Sequence, residues 1–220
     1  ELKVSFSRDG FHWDRPYRDA FIPATRVPGS WDRGYVQSVG GICTVVGDQL
    51  RFYYIGFKGG DSSSYMHSNG ATGMATLRRD GFASMSTTGE GSLTTHPVKF
   101  SGKYMFVNVN CPAGELKVEI LDKNNKVIDG FSADKCKAVT IDSTIQQVEW
   151  NGASDLSSLA GQEVRFRFKL KNGDLYAFWV SPSTNGESNG YVAGGGPGYT
   201  SNKDTEGKKA YEKASGFQKF

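Results

Sequence analysis

The sequence has only three cysteines, Cys43, Cys111 and Cys136, and no two of them form a Cys-x-x-Cys pair. It therefore predicts no structural zinc site, and neither a metal nor a cofactor is expected. Cys43 lies in an apolar run and is expected to be a small buried side chain. Cys111 and Cys136 could pair, but an odd number of cysteines argues against a disulfide framework.

Long apolar runs and an excess of one charge are also missing. No run approaches the roughly 20 apolar residues that cross a membrane, so no membrane partner is expected. The net charge is only +3, with acidic and basic residues interspersed. Because nucleic-acid-binding surfaces concentrate basic residues, this balance predicts no nucleic-acid partner.

The sequence has neither an initiator Met nor a signal peptide. It begins at Glu1, within a segment that has the pattern of a strand. We therefore expect it to be a piece of a longer protein.

What the chain does contain is glycine and aromatic residues, with 28 glycines and 13% Phe, Trp and Tyr. Short Val, Ile, Tyr and Phe runs bounded by Gly and Asp predict an all-β fold with many turns. The clearest pair of runs is 35–46 and 49–57, joined at Gly47-Asp48. This pair predicts a hairpin around which the first part of the chain is organised.

A short sequence repeat suggests a repeated sheet. Arg8-Asp9-Gly10-Phe11 recurs at positions 79–82, with the hairpin in between. Such spacing is typical of β-propeller blades. One blade would consist of strands 35–46, 49–57, 73–79 and 82–86, and strands 2–7 and 11–14 would end the preceding blade. Residues 1–88 are therefore predicted to be a propeller-blade segment.

A second domain is predicted at residues 89–182. About eight short strands there suggest a jelly-roll-like β-sandwich. Two of them, 164–170 and 175–180, flank a predicted turn at Lys171-Asn172-Gly173-Asp174. One helical turn is expected at 156–159. Residues 183–220 form a Gly- and Ser-rich extension, either a disordered tail or a loop laid over the surface.

Five motifs resemble the C-terminal part of glycoside hydrolase family 32-like bacterial proteins, a five-bladed β-propeller group of the β-fructosidase kind. They are Ser-Arg-Asp-Gly with Trp13 and Arg-Pro at 7–16, Gly-Ser-Trp-Asp at 29–32, and the segments 46–54, 75–84 and 176–181. The resemblance covers roughly residues 1–205. It implies the closing part of a propeller followed by a sandwich, in a secreted or periplasmic protein that hydrolyses glycosidic bonds.

The same resemblance implies that the catalytic carboxylates lie on earlier blades, which this sequence lacks. No catalytic residue is therefore assigned. The missing blades would be supplied in cis or by another chain. Whether this chain alone is an enzyme is left open.

The predicted binding residues are Trp31, Asp32, Arg33 and His67. A hairpin brings its outer ends together, so these residues are expected at one end of the sheet. Trp31 could stack on a sugar while Asp32 and Arg33 bond its hydroxyls. The alternative is that Trp31 packs between blades and Asp32 caps a turn. His67 is either a ligand contact or a solvated loop residue.

Three further sets of residues carry weaker signals. Asp32 and Asp61 are the only carboxylates of the blade segment expected at the same end, and they are a poor candidate pair for hydrolysis. Trp150 and Trp179 could be lectin-like contacts, although core packing is favoured for at least one. The polar segment 122–125 is better explained as a turn than as a calcium site.

Two hypotheses follow. In the first, the chain is the C-terminal portion of a glycosidase and provides one wall of its site. In the second, it is a non-catalytic carbohydrate-binding or interaction module.

Overall fold

The computed structural model describes residues 1–60 and 66–217. The chain is 43% strand and 6% helix, so the predicted all-β class is confirmed. It divides into two compact units. The first comprises Glu1–Thr44 and Arg51–Thr76, and the second comprises Val45–Leu50 and Leu77–Phe220. No described helix has the length and apolar character needed to span a membrane.

The predicted hairpin is present with the expected bounds. Strands β1 (Phe6–Ser7) and β2 (Trp13–Asp14) form a small ribbon, and β3 (Tyr35–Val46), β4 (Gln49–Phe57) and β5 (Gly70–Arg78) form a sheet in that order. Gly47 adopts a φ of 60° in the turn that joins β3 to β4. A left-handed turn residue of this kind is what a tight hairpin needs.

The predicted fourth strand of this sheet is not part of it. Residues Met85–Thr94 form β6, which pairs with a strand of the second unit instead. The repeated tetrapeptides also form different turns: Gly10 has a φ of 80° in the first, whereas Asp80 takes a φ of 53° in the second. The second turn therefore leads the chain away from β5, and the propeller stays a prediction.

The second unit contains the sandwich-like sheet. Strands β7 (Tyr104–Asn110), β8 (Glu115–Leu121), β9 (Asp142–Gln147) and β10 (Arg165–Ser181) join β6 in the order β6-β10-β7-β9, with β8 also paired to β10. The predicted turn at 171–174 is wrong, because β10 continues through it. Its first half pairs with β8 and its second half with β7.

Two glycines explain the bend in β10. The β7–β8 connection crosses β10 so closely that a Cβ on Gly114 would lie 1.8 Å from the Lys171 carbonyl oxygen. A Cβ on Gly173 would lie 2.6 Å from the Asn110 carbonyl oxygen. Asn172 between them has a φ of 43°, and the register with β6 shifts there. The bend separates the half of β10 that pairs with β8 from the half that pairs with β7.

One core supports this unit. It is formed by the inward side chains of β7, β8 and β10 together with Trp150, Leu156 and Leu159. The expected helical turn is a 3-10 turn at Ser157–Leu159. Several predicted short strands are reduced to single bridges: Val98 with Val164, Val127 with Leu121, Val139 with Leu116, and Trp150 with Cys136. Cys111 and Cys136 are buried free thiols and do not form a disulfide.

The C-terminal extension lies over the second unit rather than forming a disordered tail up to residue 217. Val192 is buried, and the Val45 amide donates a 2.8 Å hydrogen bond to the Gly195 carbonyl. Buried Arg79 bonds the buried Asp204 carboxylate at 2.9 Å. Its guanidinium lies 5.3 Å from the ring of Tyr211, a residue of helix α1 (Lys208–Ala214).

Candidate functional site

The Trp31 ring packs against two glycines on one face of the three-stranded sheet. A Cβ on Gly56 of β4 would be 2.3 Å from its Cζ3 atom, and one on Gly73 of β5 would be 2.6 Å from Cη2. The indole therefore occupies the space that two side chains would otherwise fill. Tyr54 flanks it at 5.7 Å between ring centroids, tilted by 35°. We call Trp31, Tyr54, Gly56 and Gly73 the Trp31 platform.

The platform presents aromatic surface to solvent. Trp31 is 39% exposed although its ring packs closely against the sheet. Tyr54 is partly buried, and burial followed by the nearby Asp32 charge raises the pKa of its hydroxyl. The hydroxyl is therefore protonated at neutral pH and keeps a proton to donate.

Asp32 serves the turn that carries Trp31. Its side chain is buried, and Oδ1 accepts hydrogen bonds from Thr25 Oγ1 at 2.6 Å and from Ser30 Oγ at 2.7 Å. Burial alone would raise the pKa of Asp32, but the two hydroxyl donors outweigh it and lower the pKa below its ordinary value. Asp32 is thus an ionised turn acceptor, as the structural alternative predicted.

Arg33 follows in the same turn and is only partly exposed. Its backbone N–H donates to the Ser30 carbonyl at 3.4 Å, and the next amide, Gly34, donates to Phe57 at 2.8 Å. The second bond fixes the turn to the end of β4. The turn is therefore held rigidly, which suits a preformed contact surface.

His67 lies at the same end of the sheet but on its other face. Its ring meets Tyr35 edge-on at 4.9 Å and Phe57 edge-on at 5.3 Å. Successive strand residues point to opposite faces, so Phe57 and Gly56 lie on opposite sides of β4. The hairpin thus brings Trp31 and His67 to one end, as expected, without bringing them together. Asp61 lies outside the described residues.

The tryptophans of the second unit are packing residues. Trp150 is buried, contacts Phe131, and donates from Nε1 to the Val118 carbonyl at 2.9 Å. Trp179 stacks on Phe106 at 5.7 Å and donates to the Gly186 carbonyl at 3.0 Å. Core packing, predicted for at least one of the two, is confirmed for Trp150, whereas Trp179 is partly buried.

A charged groove of about 550 Å³ lies on the outer face of β6, β8 and β10. Glu119 contacts Arg167, and Lys169 Nζ lies 3.4 Å from the same carboxylate. Burial would raise the pKa of Glu119, but the hydrogen bond and charge of Arg167, with Lys169, lower it. Lys117 pairs with Glu115, and Lys171 pairs with Glu90. Each lysine that lines the groove therefore has an acidic partner.

Cation ligands are not clustered in the part of the chain that the structure describes. No group of three or more His, Cys, Asp or Glu side chains there could hold a metal ion. At the polar segment 122–125, Asp122 Oδ1 accepts from the amides of Asn124 at 2.8 Å and Lys126 at 2.9 Å. Asp122 is therefore the acceptor of a tight turn, as predicted.

Sequence reasoning found Trp31 but missed the residues beneath it. Gly56 interrupts a strand that is otherwise rich in large side chains, and Gly73 lies in the middle of β5. Glycine inside a strand often marks a place where another group approaches closely. The two glycines therefore indicated that another group approaches these strands closely, but the sequence did not identify that group as the Trp31 ring.

No family model, curated protein or solved structure matches this chain. The resemblance to glycoside hydrolase family 32-like proteins therefore stays a prediction.

Proposed function

We propose that this chain binds carbohydrate without cleaving it, using the Trp31 platform, as part of a carbohydrate-active protein. The observation that carries the proposal is the glycine-supported and partly exposed indole of Trp31. An aromatic ring that is held by close packing and still partly exposed offers apolar contact area at little cost in side-chain entropy. The axial C–H groups of a pyranose or furanose ring are suitable partners for such a surface.

Polar groups at the platform edge support the same ligand class. Tyr54 carries a protonated hydroxyl next to the indole, and partly exposed Arg33 follows in the turn. Small-molecule sites combine an apolar surface with a few polar groups that fix orientation. Neutral sugars present this combination of apolar C–H faces and hydroxyl edges.

Asp32 argues for binding over catalysis. A glycosidase acid needs a carboxyl group whose pKa is raised, facing a second carboxylate across the sugar. The pKa of Asp32 is lowered, its side chain is buried, and Oδ1 already accepts two hydroxyl hydrogen bonds. Asp32 therefore positions the Trp31 turn and does not act on substrate.

The parent protein proposed from the sequence motifs is a secreted or periplasmic glycosidase, with its catalytic blades in cis or on another chain. Its support is the motif resemblance. Hydrolysis of aryl glycosides by the longer protein, and not by this chain, is the expected result. Hydrolysis by this chain alone would overturn the non-catalytic assignment.

The binding proposal is tested by affinity electrophoresis of the chain in gels containing inulin, levan, xylan or soluble cellulose derivatives. Retardation by at least one polysaccharide is expected, with a Trp31→Ala variant losing affinity at least about tenfold, the effect of removing about 1.4 kcal/mol of contact. Trp13→Ala is the matched control, because Trp13 is 63% exposed but lies on β2, apart from the platform. Equal retardation of both variants would refute the proposal.

A further inference from the structure

The three-stranded sheet has a second face that is apolar and exposed. Phe57 and Tyr35 contact each other on this face, whereas Tyr54 and Trp31 lie on the opposite one. Alternation along β4 then places Tyr53 beside Phe57. We call this surface the Tyr53 face, and the members that the argument uses are Tyr35, Val39, Ile42, Tyr53, Phe57 and Met74.

The strand pattern supports the assignment of faces. Gly70 lies against Phe57 and Gly73 against Trp31, so Met74 lies on the Tyr53 face. Ile42 is exposed next to the buried Cys43, and Gly40 has a φ of 75°. We infer that β3 bulges at Gly40, which shifts the alternation by one residue and places Ile42 on the Tyr53 face. Residues on both faces of β4 are therefore large and apolar. Strands of this kind normally belong to sheets covered on both sides.

Four apolar side chains of this face, Val39, Ile42, Tyr53 and Met74, are between 39% and 61% exposed. Three of the four are smaller than the aromatic side chains, which reach about 150–250 Å²; at about 150 Å² for a whole side chain, the four leave roughly 300 Å² of apolar surface in water. That is near the size of the largest patch on typical monomers, and patches of this kind mark interaction sites.

The face carries almost no charge. Its members include no Asp, Glu or Lys. Alternation adds two arginines, of which Arg51 is buried and Arg78 is mostly buried and ion-paired with Asp142. A two-fold interface sets a surface against an identical copy, so like charges would repel across it. A face with little exposed charge avoids this repulsion when it meets a second copy of itself. The same face has few charged groups with which a charged partner surface could form ion pairs.

We propose that the Tyr53 face is the interface of a homodimer in which two copies of this chain pack sheet against sheet. Two copies would cover about 600 Å² of apolar surface, which corresponds to roughly 900 Å² in all at the usual apolar share of a dimer interface. That is below standard-size interfaces and in the range of weak, transient ones, so the expected Kd is on the order of 100 µM. The Trp31 platform is on the opposite face and stays available to ligand.

The test is sedimentation equilibrium of the chain from about 1 to 200 µM. We expect a mass that rises toward twice 24.0 kDa with concentration. Ile42→Lys is expected to raise the Kd at least about tenfold, because it places a charge against its own copy in a desolvated centre. Val27→Lys is the matched control: Val27 is 59% exposed and Ile42 61%, and Val27 is outside the Tyr53 face.

Two results would overturn the proposal. One is a mass of one chain at every concentration, which would assign the face to a different protein. The other is equal weakening by the Ile42→Lys and Val27→Lys variants, which would point to nonspecific association. An unchanged circular dichroism spectrum shows that each variant is folded, and a Tyr53→Lys variant repeats the test at a second position of the face.

Discussion

The Gly56→Ala variant tests whether the close packing of the Trp31 ring on β4 requires a glycine at position 56. The added methyl group would lie 2.3 Å from Trp31 Cζ3 and 2.7 Å from the Asp32 Cβ. Carbon atoms in contact prefer about 3.5–4.0 Å, so the indole must move by roughly 1.5 Å or the strand must shift. Overpacking of this kind costs about 1–3 kcal/mol. For a chain of this size that corresponds to a fall in Tm of roughly 2–12 °C.

Thermal unfolding followed by circular dichroism measures the change, and the indole N–H resonance of Trp31 reports movement of the ring. Gly89→Ala is the control, because Gly89 lies in β6 with no heavy atom within 4 Å of an added Cβ. We expect Gly89→Ala to leave the Tm unchanged or slightly raised. If both variants unfold at the same temperature and the Trp31 resonance does not shift, the close support of the ring by Gly56 is refuted.

Three further changes concern the second unit. Arg79→Met should destabilise the fold by about 3–5 kcal/mol, because the buried Asp204 carboxylate loses its partner; a loss below about 1 kcal/mol in urea unfolding would contradict this. Gly114→Ala should cost more than about 3 kcal/mol, since its Cβ would lie 1.8 Å from the Lys171 carbonyl oxygen; near-native urea unfolding would contradict the close crossing. Glu119 has a lowered pKa, so its ion pairs stabilise the fold above the ordinary value of 4.5 and are lost as pH falls below it. Glu119→Gln should therefore flatten the dependence of stability on pH on the acid side, and an unchanged dependence would show that other groups control it.

The central hairpin was predictable because its signals are local. Continuous apolar runs and the Gly47-Asp48 turn determine both strands without help from distant residues. The segment Lys171-Asn172-Gly173-Asp174 looks just as much like a turn, yet it is a bend within β10. The deciding contact is the crossing of Gly114 and Asn110 from another part of the chain, which no local pattern reveals.

For the candidate site, the sequence predicted the end of the sheet at which the residues lie but not the face on which each one lies. The hairpin places the Trp31 turn and His67 at one end of the sheet, as its connectivity requires. Which face each side chain joins depends on the register of the turns, and a shift of one residue exchanges the faces. That register could not be determined from the sequence, so the placement of Trp31 and His67 on opposite faces of the sheet could not be predicted.

The most direct test of carbohydrate binding is a titration of the four indole N–H resonances with the polysaccharide or oligosaccharide that retards the chain most. We expect the Trp31 resonance to shift and saturate, while those of Trp150 and Trp179 stay fixed, because their N–H groups already donate to the carbonyls of Val118 and Gly186. Exposed Trp13 should also stay fixed. A saturable shift at Trp13 with none at Trp31, or no shift at any saccharide concentration, would refute binding at the Trp31 platform.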